Sequence, residues 1–70
     1  MIVKQITTNK REFIDLLLLA DEEEKMIDKY LDRGEVFVLY DENKVRSVCV
    51  VTYEDAGVYE IKNMVTEPDS

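Results

Sequence analysis

The first six residues, Met1 to Ile6, set the β-branched side chains Ile2, Val3 and Ile6 around a polar centre and read as a short strand. Thr7, Thr8 and Asn9 follow with side-chain oxygens suited to the start of a helix, with Thr8 or Asn9 at the cap. From Lys10 to Ala20 the residues Phe13, Leu16, Leu17 and Ala20 fall on one helical face. Ile14 and Leu18 widen that face, which predicts a helix buried on more than one side and packed on a sheet. Asp21 and Glu24 have the spacing of a capping box, and Glu22 and Glu23 add negative charge where a helix amino terminus favours it. A second helix is therefore predicted, with Met26, Ile27, Tyr30 and Leu31 as its stripe, Lys29 and Arg33 near its negative end, and Gly34 closing it in the left-handed conformation.

After Gly34 the period shortens. Val36 to Tyr40 and Val45 to Tyr53 are two apolar, β-branched runs joined by the polar turn Asp41-Glu42-Asn43-Lys44, which predicts a hairpin. Runs this continuously apolar are typical of strands covered on both faces, and the helices can cover only one. Glu54 to Gly57 makes a further turn, and Val58 to Thr66 reads as a third consecutive antiparallel strand ended by Glu67-Pro68. Its alternation slips: Tyr59 and Ile61 share one parity, Asn63 breaks it, and Met64 and Val65 follow as an apolar pair. Either a one-residue bulge across Lys62 to Met64 or a half-exposed strand end produces this pattern.

The expected fold class is α+β: strand, helix, helix, then three consecutive antiparallel strands, within a single domain over residues 1–70. Pro68-Asp69-Ser70 directly after an apolar strand suggests an interruption at a connecting loop, which leaves the last strand with a free edge.

Composition narrows the function classes. At 46% apolar residues the chain is globular, although 70 residues bury little surface. Nine basic against sixteen acidic residues give a net charge of -7, which opposes nucleic acid and anionic membrane surfaces; it would attract amines, polyamines or basic peptides, although its usual role is solubility. The chain has no histidine, so Ser-His triads and the common zinc sites are excluded and no metal is expected. The single Cys49 lies in an apolar run and allows no disulfide within the chain. With neither a leader-like start nor a membrane-length apolar stretch, a cytoplasmic protein is expected. The acidic run Asp21 to Glu24 reads as a helix start rather than a ligand site.

The element order, together with the segment Ile61-Lys62-Asn63-Met64-Val65-Thr66-Glu67-Pro68-Asp69, resembles the first half of the GNAT acetyltransferase fold. The most specific part is the strand end of type apolar-x-Val-x-x-Pro, which in that family precedes a glycine-rich loop and its helix. The resemblance implies that residues 1–70 are the amino-terminal half of one GNAT domain, stopping before the loop that holds the pyrophosphate of acetyl-CoA. It implies direct attack of a primary amine, on a small molecule or a peptide, on the thioester of acetyl-CoA. It further implies that the backbone of Met64, Val65 and Thr66 contacts the pantetheine arm and acetyl group, that Glu60 is a candidate general base, and that Met26 and Tyr30 border the acceptor groove. Glu60 also reads as a solvated cross-strand partner of a Lys or Arg, and Met26 and Tyr30 as core residues. One departure is Arg46-Ser47, where many family members have a glycine soon after the hairpin turn. The competing reading is a small acidic, non-catalytic α+β module that binds a partner or forms a homodimer through the Val58 to Thr66 strand.

Overall fold

A computed structural model describes residues 1–67, so the readings of Pro68, Asp69 and Ser70 lie outside the described residues. Four strands, β1 (Ile2–Ile6), β2 (Glu35–Asp41), β3 (Lys44–Asp55) and β4 (Val58–Thr66), form one antiparallel sheet in the order β1-β2-β3-β4. Between β1 and β2 lie a 3-10 turn (Lys10–Phe13), the one-turn helix α1 (Ile14–Leu17) and the longer helix α2 (Glu24–Arg33). The α+β class and the strand order match the expectation.

Alternation along the strands gives the sheet two unlike faces. The helix-side face is built from the cross-strand pairs Val36 with Val50, Val38 with Val48, and Val48 with Val65. Phe13, Leu17, Ile27, Tyr30 and Leu31 close over these valines to make the core. The opposite face carries Val3, Phe37, Leu39, Cys49, Val51, Ile61 and Met64 in register, and no helix of the described residues covers it.

The expected single helix over Lys10 to Ala20 is broken in two. The amides of Ile14 and Leu19 bond three residues back, to Arg11 and Leu16, while that of Leu18 bonds four back to Ile14. Four consecutive leucines, Leu16 to Leu19, offer no polar position to select one face. Only Phe13 and Leu17 of this stretch are fully buried, and Leu19 is exposed. Asn9 occupies the cap position, but in the left-handed conformation (φ 52°) and without a side-chain cap bond. The capping box is also corrected. Asp21 Oδ1 accepts from the Glu23 amide, whereas the Glu24 carboxylate turns to Arg11. Gly34 is extended (φ -94°, ψ 173°) rather than left-handed. Its lack of a side chain is required by proximity: a Cβ there would lie 2.5 Å from the Tyr30 carbonyl oxygen and 3.0 Å from that of Val51.

The hairpins follow their turn chemistry. Glu42 (φ 51°) and Asn43 (φ 66°) supply the two left-handed residues that a tight β2–β3 connection needs. Gly57 (φ 81°) does the same between β3 and β4. Tyr40 pairs with Val45 and Leu39 with Ser47, so Arg46 is an extra residue in β3, at the place where the sequence lacks a glycine. Arg46 keeps a negative φ, which explains why a side chain is tolerated there.

Candidate functional site

The predicted phase slip in β4 is a bulge. Asn63 pairs with Val50 and Ile61 with Val51, which leaves Lys62 as one inserted residue. The insertion reverses the parity of the strand. Before it, Tyr59, Glu60 and Ile61 are all exposed; after it, Asn63 and Val65 turn inward and Met64 and Thr66 outward. β4 is the last strand of the sheet, so beyond the bulge its far backbone edge has no neighbour among the described residues.

Of the residues expected at the acyl donor, Met64 is exposed opposite Cys49 and Val65 is buried opposite Val48. Thr66 lies opposite Ser47, their hydroxyls 3.0 Å apart. Glu60 lies opposite the buried Thr52 on the helix-side face, near the end of α2, since Gly34 packs on Thr52. The Glu60 carboxylate is solvent-facing and meets the Lys62 ammonium at 3.0 Å. A second carboxylate, Glu54, stands 4.0 Å from the same ammonium and 3.0 Å from Arg33. It also accepts a short hydrogen bond from the Thr52 hydroxyl. That hydrogen bond holds Glu54 below the usual carboxylate range; desolvation opposes it, and the charges of Arg33 and Lys62 reinforce it. These surroundings weaken Glu54 as a proton acceptor.

Met26 is half exposed on α2. Tyr30, read both as a border of the acceptor groove and as a core residue, is only 6% exposed and packs in the core. Its hydroxyl donates to Asp21 Oδ2 (3.2 Å) and accepts from Asn63 Nδ2 (2.9 Å). Burial pushes the phenol up; the Asn63 bond acts in the opposite direction, and the Asp21 carboxylate raises it further, so the hydroxyl keeps its proton as a donor. Asn63 and Lys62 were visible in the sequence at the slip in alternation but without these side-chain partners, and Glu54 and Thr52 were not singled out as site residues.

A groove of about 920 Å³ runs between the loop after β1 and α2 and includes no residue of β4. Two of its cations are already engaged. Lys10 donates to the Leu31 and Gly34 carbonyls at the end of α2, and Arg11 pairs with Glu24 and Asp28. No three His, Cys, Asp or Glu side chains among the described residues cluster as metal ligands, and no described helix is long and apolar enough to cross a membrane.

Solved structures match this fold. A GNAT family acetyltransferase from Elizabethkingia anophelis with acetyl-CoA bound superposes with a TM-score of 0.84 at 32% identity over 93% of this chain. The chain has the fold of the amino-terminal part of the GNAT acetyltransferases. An IAA acetyltransferase from Bacillus cereus (TM-score 0.81, 30% identity) and a Bacillus subtilis acetyltransferase in complex with CoA (0.82, 29%) match over the same 93%. The chain spans only 42% to 43% of the length of these three proteins. No family model matches the sequence, and neither does any curated protein.

Proposed function

We propose that this chain forms the acceptor side and one wall of the acyl-donor slot of an acetyl-CoA-dependent N-acetyltransferase. The observation that carries the reading is the Lys62 bulge on an unpaired edge strand, in a chain whose structural neighbours include complexes with acetyl-CoA and CoA. A strand paired on one side only has backbone donors and acceptors free on the other, and the bulge re-aims those of Met64, Val65 and Thr66. Such groups suit an extended amide-containing arm and a thioester oxygen that gains negative charge during acyl transfer. Acetyl-CoA supplies the activated acyl group when bound, while the chain orients it and manages the acceptor's proton.

In this reading Glu60 receives that proton. Its carboxylate already engages an ammonium, that of Lys62, and an acceptor ammonium would replace Lys62 on the same oxygens before losing its proton directly or through water. Glu54, lowered by Thr52 and two cations, stays ionised and anchors Lys62. Met26, exposed on α2, contributes apolar contact to the acceptor. The acceptor is a primary amine on a small molecule or peptide, in keeping with the net charge of -7.

The test uses the complete acetyltransferase domain. Glu60→Gln removes the proton-accepting charge and keeps shape, so kcat/KM should fall by roughly a hundredfold near neutral pH. It should recover at higher pH as the amine becomes neutral by itself. A variant with an unchanged pH–rate profile would remove Glu60 from this role. A second reading, self-association without catalysis, draws on the open β4 edge and the uncovered apolar face beside it.

A further inference from the structure

Asn63 is the one buried polar residue of β4, at 5% exposure, and it directly follows the inserted Lys62. Its Nδ2 group donates to the Leu17 carbonyl (3.1 Å) and to the Tyr30 hydroxyl (2.9 Å). The Leu17 carbonyl also receives the Ala20 and Asp21 amides, at the turn that closes α1. One amide therefore ties β4 to the end of α1, the middle of α2 and, through Tyr30, to Asp21. Both protons of the NH2 group are used, whereas Asn63 Oδ1 is buried without a partner. Swapping the amide would set Oδ1 against the Leu17 carbonyl, acceptor against acceptor, so the contact depends on the donors.

The bond exists in one register only. If β4 continued without the insertion from the Ile61–Val51 pair, Lys62 would face Val50 under the helices, and Asn63 and Val65 would face outward. We propose that Asn63 is a positioning residue: by tying β4 to Leu17 and Tyr30 it fixes the bulge, and so the aim of the Met64 to Thr66 backbone at the acyl donor. The proposal rests on the functional reading above for its second half. Its first half concerns the strand alone.

The test is made in the complete domain with Asn63→Asp, which keeps size but offers no N–H, and with Tyr30→Phe, which removes only the hydroxyl. Hydrogen exchange is followed along the sheet, with acetyl-CoA affinity and the KM for the amine measured in parallel. Asn63→Asp should speed exchange at Met64 to Thr66 about tenfold, the equivalent of one lost buried hydrogen bond, while Val36 to Val50 stays protected. Acetyl-CoA affinity should weaken by about the same factor with the amine KM unchanged. Tyr30→Phe should shift both quantities less and in the same direction, and it decides the matter if the aspartate variant does not fold. Faster exchange spread evenly over the sheet with acetyl-CoA affinity unchanged would reduce Asn63 to an ordinary core contact and overturn the proposal. An unsubstituted domain that fails to bind acetyl-CoA would overturn the functional reading and the aim, whereas localised exchange in the variants would still uphold the tie.

Discussion

Gly34 and Thr52 carry much of the junction between α2 and the sheet. Gly34 admits the Tyr30 and Val51 carbonyl oxygens so closely that any side chain must displace backbone, which does not yield as a side-chain tip would. Gly34→Ala should cost about 1 to 3 kcal/mol by overpacking, read from the midpoint of denaturant unfolding at unchanged slope. The sequence marked Gly34 as a helix stop but for the wrong reason. A left-handed close and a close approach both call for glycine, and only the partner strand distinguishes them. Glu54 has its lowered pKa from several causes, the largest being the neighbouring Thr52 hydroxyl. Because its folded-state pKa lies below the ordinary 4.5, its stabilisation is present above that value and is lost as pH falls through the lowered one. Thr52→Val removes the first of the causes, so Glu54 should titrate closer to its ordinary value in that variant, as carboxyl NMR shifts would report. An unmoved titration would assign the lowering to Arg33 and Lys62.

Among the elements, β4 was the most legible in part because it breaks its own pattern. A strand face is set by period two, so the change of parity after Ile61 could be read from residue types, and the extra residue was found at Lys62. The helices were less legible at their ends. Asp21 and Glu24 have the capping spacing, yet Asp21 closes a local turn on the Glu23 amide and accepts from the Tyr30 hydroxyl, while Glu24 turns to Arg11, and the last two partners lie outside the capping pattern. The burial of Tyr30 was legible from the helical stripe, but its partner Asn63, 33 residues away, was not. The β4 edge has a consequence for the 70-residue chain on its own. Val58, Tyr59, Ile61 and Met64 are each more than half exposed on a strand whose outer edge has no neighbour among the described residues, so that chain should self-associate as its concentration rises. Ile61→Lys should suppress the association by placing a charge in the strand. Sedimentation velocity checks both outcomes, and a stable monomer at high concentration without the substitution would show that this edge is not adhesive.

At the scale of the whole molecule, the sheet has one face filled by helices and one apolar face that no described helix covers, whereas continuously apolar strands are typically covered on both. The chain's 42% to 43% share of its structural neighbours accords with this one-sided core. The two glycines, Gly34 and Gly57, sit at a helix end and in a hairpin, so the 70 residues contain no glycine-rich loop at a helix start to hold phosphates. Titration of acetyl-CoA into the 70-residue chain should accordingly give no tight binding, and micromolar affinity would show that β4 alone suffices. The most direct measurement is hydrogen exchange on the complete domain with and without acetyl-CoA. The account predicts strong protection of the Met64 to Thr66 amides on β4, with the opposite edge strand, β1, unchanged. Protection absent from Met64 to Thr66, or equal on both edges, would contradict it.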